Sequence, residues 1–179
     1  LAEAFTQAAA CADAVITSGG VSVGEADHTK KIMAELGEVL FWRIAMRPGR
    51  PMAIGRIGGA QHQAILFGLP GNPVAVMVTF YAFVREALLR MAGATPEAMP
   101  LLRAACVEPM RKKPGRTEFQ RGSVTRAADG QWQVRITGAQ GSGILRSMSQ
   151  ANGMVLLHHD QGAVQAGDLV DVLPFDGLL

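Results

Sequence analysis

The sequence predicts an α/β segment followed by an all-β domain, and three observations carry that reading. An apolar run, Asp13-Ala14-Val15-Ile16, opens into the glycine-rich stretch Thr17–Lys30, TSGGVSVGEADHTK, and then into a helical pattern. A second apolar run, Gln63–Phe67, passes through Gly68-Leu69-Pro70-Gly71-Asn72-Pro73 into a long apolar helix. From Leu101 onward the chain turns to short alternating strands broken by turn residues. Strand–turn–helix units favour a parallel-type sheet covered by helices. About 80 residues of short strands favour a small β-barrel-like domain. The expected organisation is an α/β domain over 1–93, a linker over 94–100 and a β domain over 101–179.

Taken in order, Leu1–Ala12 places apolar residues at Leu1, Phe5, Ala8, Ala9 and Ala12, as on one face of a helix. The strand Asp13–Thr17 and the glycine-rich turn follow, then a helix over Thr29–Leu36 that stops at Gly37. Glu38–Met46 reads as one strand, with Leu40, Trp42, Ile44 and Met46 on one face. The other face carries Phe41, Arg43, Ala45 and Arg47, so Arg43 and Arg47 are expected to point the same way. Pro48-Gly49 turns the chain into Arg50 and the run Pro51–Ile54, and Gln63–Phe67 is a buried strand. Asn72 suits an N-cap and Pro73 the first position of a helix reaching Met91. Within it Met77, Phe80, Tyr81 and Phe83 are expected in the core. In the second domain Gly122–Thr125 and Trp132–Ile136 flank the hairpin signal Asp129-Gly130. Ile144–Met148, Met154–His158 and Leu169–Leu173 are expected to be further strands.

Composition excludes several classes. The 179 residues carry a net charge of +2, and the basic residues are not interleaved with stacking aromatics, so nucleic acid is not an expected partner. No apolar run reaches membrane-spanning length and no signal peptide is visible. The two cysteines, Cys11 and Cys106, form no disulfide framework, which fits a reducing, cytoplasmic compartment. The chain opens on Leu1, inside what reads as a helix, and is expected to be a piece whose N-terminal portion is missing.

The chemistry concentrates in a few places. Ser18, Gly19, Gly20, Ser22 and Gly24 bring hydroxyls and bare backbone N–H groups together before a helix N-terminus, an arrangement suited to phosphate. Glu25 and Asp27 set carboxylates beside it, where a cation could bridge to phosphate. The bland alternative is a tight turn that needs glycine and binds nothing. Arg43, Arg47 and Arg50 form a basic set whose guanidiniums match tetrahedral oxyanions, against the alternative of a solvated strand face. The Pro70, Gly71, Asn72, Pro73 loop lies beyond the carboxyl end of a strand, where open α/β sheets bind ligands. Arg111, Lys112, Lys113 and Arg116 read as a solvated loop, whereas Arg121 sits inside a strand pattern. The four histidines lack metal-site spacing, and no G-x-S-x-G elbow is present.

Together, Ser18–Asp27, Arg47-Pro48-Gly49-Arg50-Pro51 and Gly68–Pro73 resemble the molybdopterin molybdenumtransferase (MoeA) family, and the related domain of gephyrin and its plant counterpart. The resemblance continues through Pro114-Gly115-Arg116, Phe119-Gln120-Arg121-Gly122 and Gln140-Gly141-Ser142, so it covers essentially the whole chain. It implies a partial MoaB/Mog-like α/β sandwich followed by the β domain. The activity implied is insertion of molybdate into adenylylated molybdopterin, giving molybdenum cofactor and AMP, with Mg2+ or another divalent cation. By the same resemblance Asp27 is the metal-binding and catalytic carboxylate. Arg43, Arg47 and Arg50 line the site, where relatives often carry lysine. Pro70 and Pro73 shape its loop, and Arg121 and Ser142 come from the β domain to the molybdate pocket. Ala75 departs from the serine of many relatives. Relatives are longer at the N-terminus and form homodimers, so this piece alone is expected to be inactive. A gephyrin-like scaffold, or a pterin-binding module without catalysis, is the alternative.

Overall fold

The computed structural model describes residues 1–21, 26–95 and 97–175, with the side chains of 26–28 outside that description. Ser22, Gly24 and Glu25 therefore lie outside the described residues. The chain groups into two units, Leu1–Ile44 with Gly49–Thr95, and Ala45–Pro48 with Pro96–Leu179.

The first unit begins with α1 (Ala2–Cys11), β1 (Ala14–Ser18), α2 (Ala26–Leu36) and β2 (Gly37–Arg43). A two-residue strand, β3 (Met46–Arg47), belongs to the second unit; β4 (Pro51–Gly58) and β5 (Gln63–Leu69) then return to the first. The last helix is built from α3 (Pro73–Thr79), a π turn (Phe80–Val84) and α4 (Arg85–Met91). The sheet order is β1-β5-β4-β2. Parallel pairing is confined to β1 and β5, while β4 runs antiparallel to both of its neighbours. The reason is local: the short β4–β5 connection has room for a hairpin but not for a crossover helix.

Side-chain alternation divides the core by sheet face. Ala64 and Leu66 of β5 join Phe5, Ala9, Ile32 and Met33 of α1 and α2 on one face. Phe67 and Leu69 join Met52 and Val84 on the other, with Val76, Phe80 and Leu88 packed against them. Covered on both faces, β5 is apolar almost throughout, as a central strand must be. Val74, Ala75, Val78 and Thr79 bury the start of the last helix. Two residues expected in the core are not there: Met77 is 36% and Phe83 39% exposed. The π turn closes with one extra residue and shifts the phase of the buried face, so that Val84 is buried instead.

The second unit adds β6 (Leu102–Cys106), β7 (Thr117–Arg126), β8 (Trp132–Ile136), α5 (Leu145–Ser149), β9 (Gly153–Leu157) and β10 (Leu169–Pro174). The order is β3-β7-β8-β6-β10-β9, and a further β7–β9 pairing closes five of these strands into a barrel. Closure depends on the length of β7, whose first half pairs with β9 and whose second half pairs with β8. Gly122 stands at the changeover, opposite both Ile136 and Gly153. A Cβ there would lie 2.7 Å from Val134 Cγ2, so only glycine lets the strand turn this corner. Ala104, Val134, Val155, Leu157, Val170 and Val172 fill the interior.

Two expectations are corrected in this unit. Ile144–Met148 is not a strand, since Leu145–Ser149 is helical; an apolar run this short has no decisive period. Lys112 is not solvated but 6% exposed, donating from Nζ to the carbonyls of Lys113, Gln161 and His159 at 3.0, 3.1 and 3.4 Å.

Two outcomes follow. On β10, Asp171 faces His158 Nε2 at 2.7 Å and Arg103 Nη1 at 3.1 Å. The His158 hydrogen bond, opposed by burial and assisted by Arg103, holds its carboxyl below the ordinary value. A depressed folded pKa contributes stability above the unfolded pKa and loses it as pH falls through the folded one. Acid unfolding curves should therefore show an increment, below about 1 kcal/mol because both partners are exposed, that Asp171→Asn lacks. Burial, followed by the Asp168 charge, pushes the Cys106 thiol up to about 11. An aromatic disulfide reagent at mildly alkaline pH should label exposed Cys11 rapidly, and Cys106 only after denaturant is added.

Candidate functional site

One end of the first unit's sheet gathers most of the residues singled out in the sequence. Ser18 ends β1 opposite Leu69, the last residue of β5, so both parallel strands finish together. β4 runs the other way and starts at this end, and β2, antiparallel to β4, finishes there, so that Arg43 pairs with Pro51 and the Ile44 N–H donates to the Arg50 carbonyl at 2.8 Å. Arg43 and Arg50 are thus neighbours at that end, both exposed. The N-terminus of α2 comes to the same end, which places Asp27 in its first turn; the Asp27 side chain lies outside the described residues.

The two loops beyond the parallel strands touch. Gly19 and Gly20 have φ of 89° and 77°, a region where an L side chain is strained. The Gly19 N–H donates to the Leu69 carbonyl at 2.9 Å, tying the glycine turn to the start of the other loop. A Cβ on Gly71 would stand 3.6 Å from the Gly19 Cα, and one on Gly20 would meet Thr29 Cγ2 at 2.5 Å. Pro70 is buried, while Gly71, Asn72 and Pro73 are exposed. Asn72 takes the N-cap position with extended backbone, and Pro73 opens the helix. The cap bond itself is not made by the Asn72 side chain, in contrast to the expectation.

Arg47 departs from the predicted arrangement. The strand expected to run to Met46 stops at Arg43, and Met46–Arg47 pairs in parallel with Thr117–Glu118 of β7. Alternation holds only along an unbroken strand, so Arg43 and Arg47 do not share a face. Arg47 instead lines a cavity of about 360 Å3 within the second unit, with Arg111, Glu118, Phe119, Arg121 and Gln140 among its walls. Glu118 is buried and receives hydrogen bonds from Arg116 Nε at 3.0 Å and Gln120 Nε2 at 3.4 Å.

Arg121 is fully buried. Burial first, and the Arg47 charge second, push its guanidinium below the ordinary value. Ser142 lies half-buried in the loop that Arg121 contacts. Gln140 stands in the sequence only as part of a motif, and Thr137 and Ser147 have no expected role, yet all three bond to Arg121. The available signal was the buried-strand position of Arg121, which demands partners.

Among the described residues, no group of three or more His, Cys, Asp or Glu side chains could hold a metal. No helix among the described residues is long and apolar enough to cross a membrane.

Substitution in the glycine turn should be graded. Gly20→Ala, with both strain and a side-chain collision, should cost about 1–3 kcal/mol. Gly19→Ala, strained in open space, should cost less; urea unfolding of both variants measures the difference.

Residues 1–90 match the family described as the probable molybdopterin binding domain, and residues 103–175 match the MoeA C-terminal region, domain IV. A molybdopterin molybdenumtransferase of Haemophilus influenzae is 40% identical over 178 residues, covering 99% of this chain and 43% of the relative. Gephyrin of Dictyostelium discoideum is 29% identical over 186 residues, covering 90% of this chain and 25% of the relative. A crystal structure of a molybdopterin biosynthesis MoeA protein from Pyrococcus horikoshii superposes with a TM-score of 0.72 at 28% identity, over 98% of this chain and 40% of that one. The chain therefore spans less than half the length of each. With both matched regions in this order on one chain, it belongs to the probable molybdopterin binding domain family and carries the MoeA C-terminal region behind that domain.

Proposed function

We propose that the protein containing this chain inserts molybdate into adenylylated molybdopterin, releasing AMP and molybdenum cofactor. The observation that carries the reading is the convergence at one sheet end of the glycine turn, the Pro70–Pro73 loop, Arg43 and Arg50, and the first turn of α2.

Each part has a chemical task there. The turn residues Ser18, Gly19 and Gly20 and the α2 N-terminus suit phosphate oxygens, and Ser22 and Gly24 are assigned to the same role. Asp27 would hold Mg2+ against those oxygens, and the ion would supply Lewis-acid stabilisation of the charge that develops as the phosphoanhydride breaks. Pro70, Gly71, Asn72 and Pro73 shape the neighbouring wall. Arg43 and Arg50 offer guanidiniums to an incoming tetrahedral dianion. In the second unit Arg47 and Ser142 are the proposed molybdate-contacting pair, with Arg121 buried behind the loop that carries Ser142, and the cavity lined by Arg47 and Arg121 supports that assignment. A homodimer and a cytoplasmic location complete the proposal. The alternative is a pterin-binding module or gephyrin-like scaffold without catalysis, and one assay separates the two.

In the full-length protein Asp27→Asn should retain pterin binding and lose molybdate-dependent AMP release by about 100-fold or more. AMP release at the unsubstituted rate would remove Asp27 from the chemistry. Absence of AMP release from the unsubstituted protein, with pterin still bound, would favour the binding module.

A further inference from the structure

Arg121 is the largest fully buried side chain among the described residues. Buried cations are ordinarily paired with carboxylates, because desolvation is costly otherwise. The acceptors around this guanidinium are all neutral. Nε and Nη2 donate to Ser147 Oγ at 3.1 and 2.9 Å, Nη1 to the Gln140 carbonyl at 3.3 Å, and Nη2 to the carbonyls of Gly141 and Ala139 at 3.0 and 3.4 Å. Three consecutive carbonyls of one loop thus converge on a single side chain.

The loop answers with a side chain of its own. Gln140 Oε1 accepts the Arg121 N–H at 2.7 Å, and Gln140 Nε2 donates to the Arg121 carbonyl at 3.2 Å. These are the bonds a neighbouring strand would make, and they fall where the β7–β8 pairing ends, at Gly122 opposite Ile136. The Thr137 N–H still donates to the Arg121 carbonyl at 3.0 Å, and the carboxamide supplies the acceptor for the Arg121 N–H that β8 no longer offers. Thr137 closes the arrangement, with Oγ1 donating to the carbonyls of Ser147 at 2.7 Å and Arg121 at 3.2 Å. In a trans peptide the C=O and the following N–H point to opposite sides. Drawing the carbonyls of Ala139, Gln140 and Gly141 onto Arg121 therefore turns the N–H groups of Gln140, Gly141 and Ser142 away from it.

We propose that Gln140 and Arg121 form a reciprocal lock that sets the conformation of the 138–144 loop, and that both are positioning residues for anion binding in the second unit. The anion-binding part rests on the function proposed above; the lock does not. Arg121 acts by holding carbonyls in a planar fork, a task that the point charge of lysine cannot reproduce. Gln140 acts without any charge of its own.

The test uses the chain with inorganic molybdate as probe, and two readouts: molybdate affinity by calorimetry and amide hydrogen exchange across residues 138–144. Gln140→Ala should weaken molybdate binding about tenfold and accelerate exchange of the loop amides and of the Arg121 amide by a similar factor, leaving the other β-strand amides unchanged. Arg121→Lys, which keeps the charge, should lose as much as Gln140→Ala. Gln140→Glu keeps the acceptor for the Arg121 N–H and loses the donor, so it should fall between, and it serves if the alanine variant unfolds. Unaltered loop exchange in Gln140→Ala overturns the lock. Faster exchange with unaltered molybdate affinity, or full affinity in Arg121→Lys, overturns the positioning role. If the unsubstituted chain takes up no molybdate, the anion-binding reading and the positioning role fail together, and loop exchange still decides the lock.

Discussion

The parallel pairing of β1 with β5 is the constraint on which the first unit depends. It ends two strands at the same level, so that the turns leaving them must share a small space. The glycine turn takes the positive φ that Gly19 and Gly20 allow, and the Gly19 N–H closes the gap by bonding to Leu69. The apolar faces of β5 make the pairing stable, with α1 and α2 covering one side and the last helix the other. The antiparallel strands then bring Arg43 and Arg50 to the end already set by the parallel pair. Position follows from register rather than from any contact among the polar residues themselves.

The second unit solves a different problem. A small closed barrel must satisfy the backbone of a long strand that changes partners midway, and side-chain amides do part of this work. Gln140 serves the backbone of Arg121, and Asn152 serves that of Val124, accepting its N–H at 2.6 Å and donating to its carbonyl at 2.9 Å. The same device brings the 138–144 loop against Arg121 and supplies the neutral acceptors that make burial of a guanidinium tolerable. No buried side-chain nitrogen or oxygen among the described residues lacks a partner.

Much of this was legible in the sequence. The order of elements, the change from α/β to all-β and the closely packed glycine turn follow from apolar periodicity and from glycine and proline placement. What was not legible depends on long-range pairing. The residues from Leu40 to Arg47 alternate well enough to pass for one strand, and nothing local reveals that Met46–Arg47 is claimed by β7. The Ile144–Met148 run is too short to declare its period, and the tertiary demand for a buried Ser147 hydroxyl settles it as helix. The π turn left Phe83 outside by a phase shift that no propensity records. Arg121 was legible as a misfit, a charged residue in a buried pattern, but its partners lie 16 to 26 positions away and had no signature of their own.

The path of the chain through β3 bears on inheritance. The polypeptide leaves the first unit after Ile44, lends four residues to the second, and resumes the first at Gly49. No single scission can divide it into two complete modules, since a break near Thr95 would leave β7 without its parallel neighbour. Shuffling either unit alone onto another protein would forfeit a strand or leave a stump. Selection on one half thus constrains the other through shared covalent topology, and the pair should descend as a single heritable block.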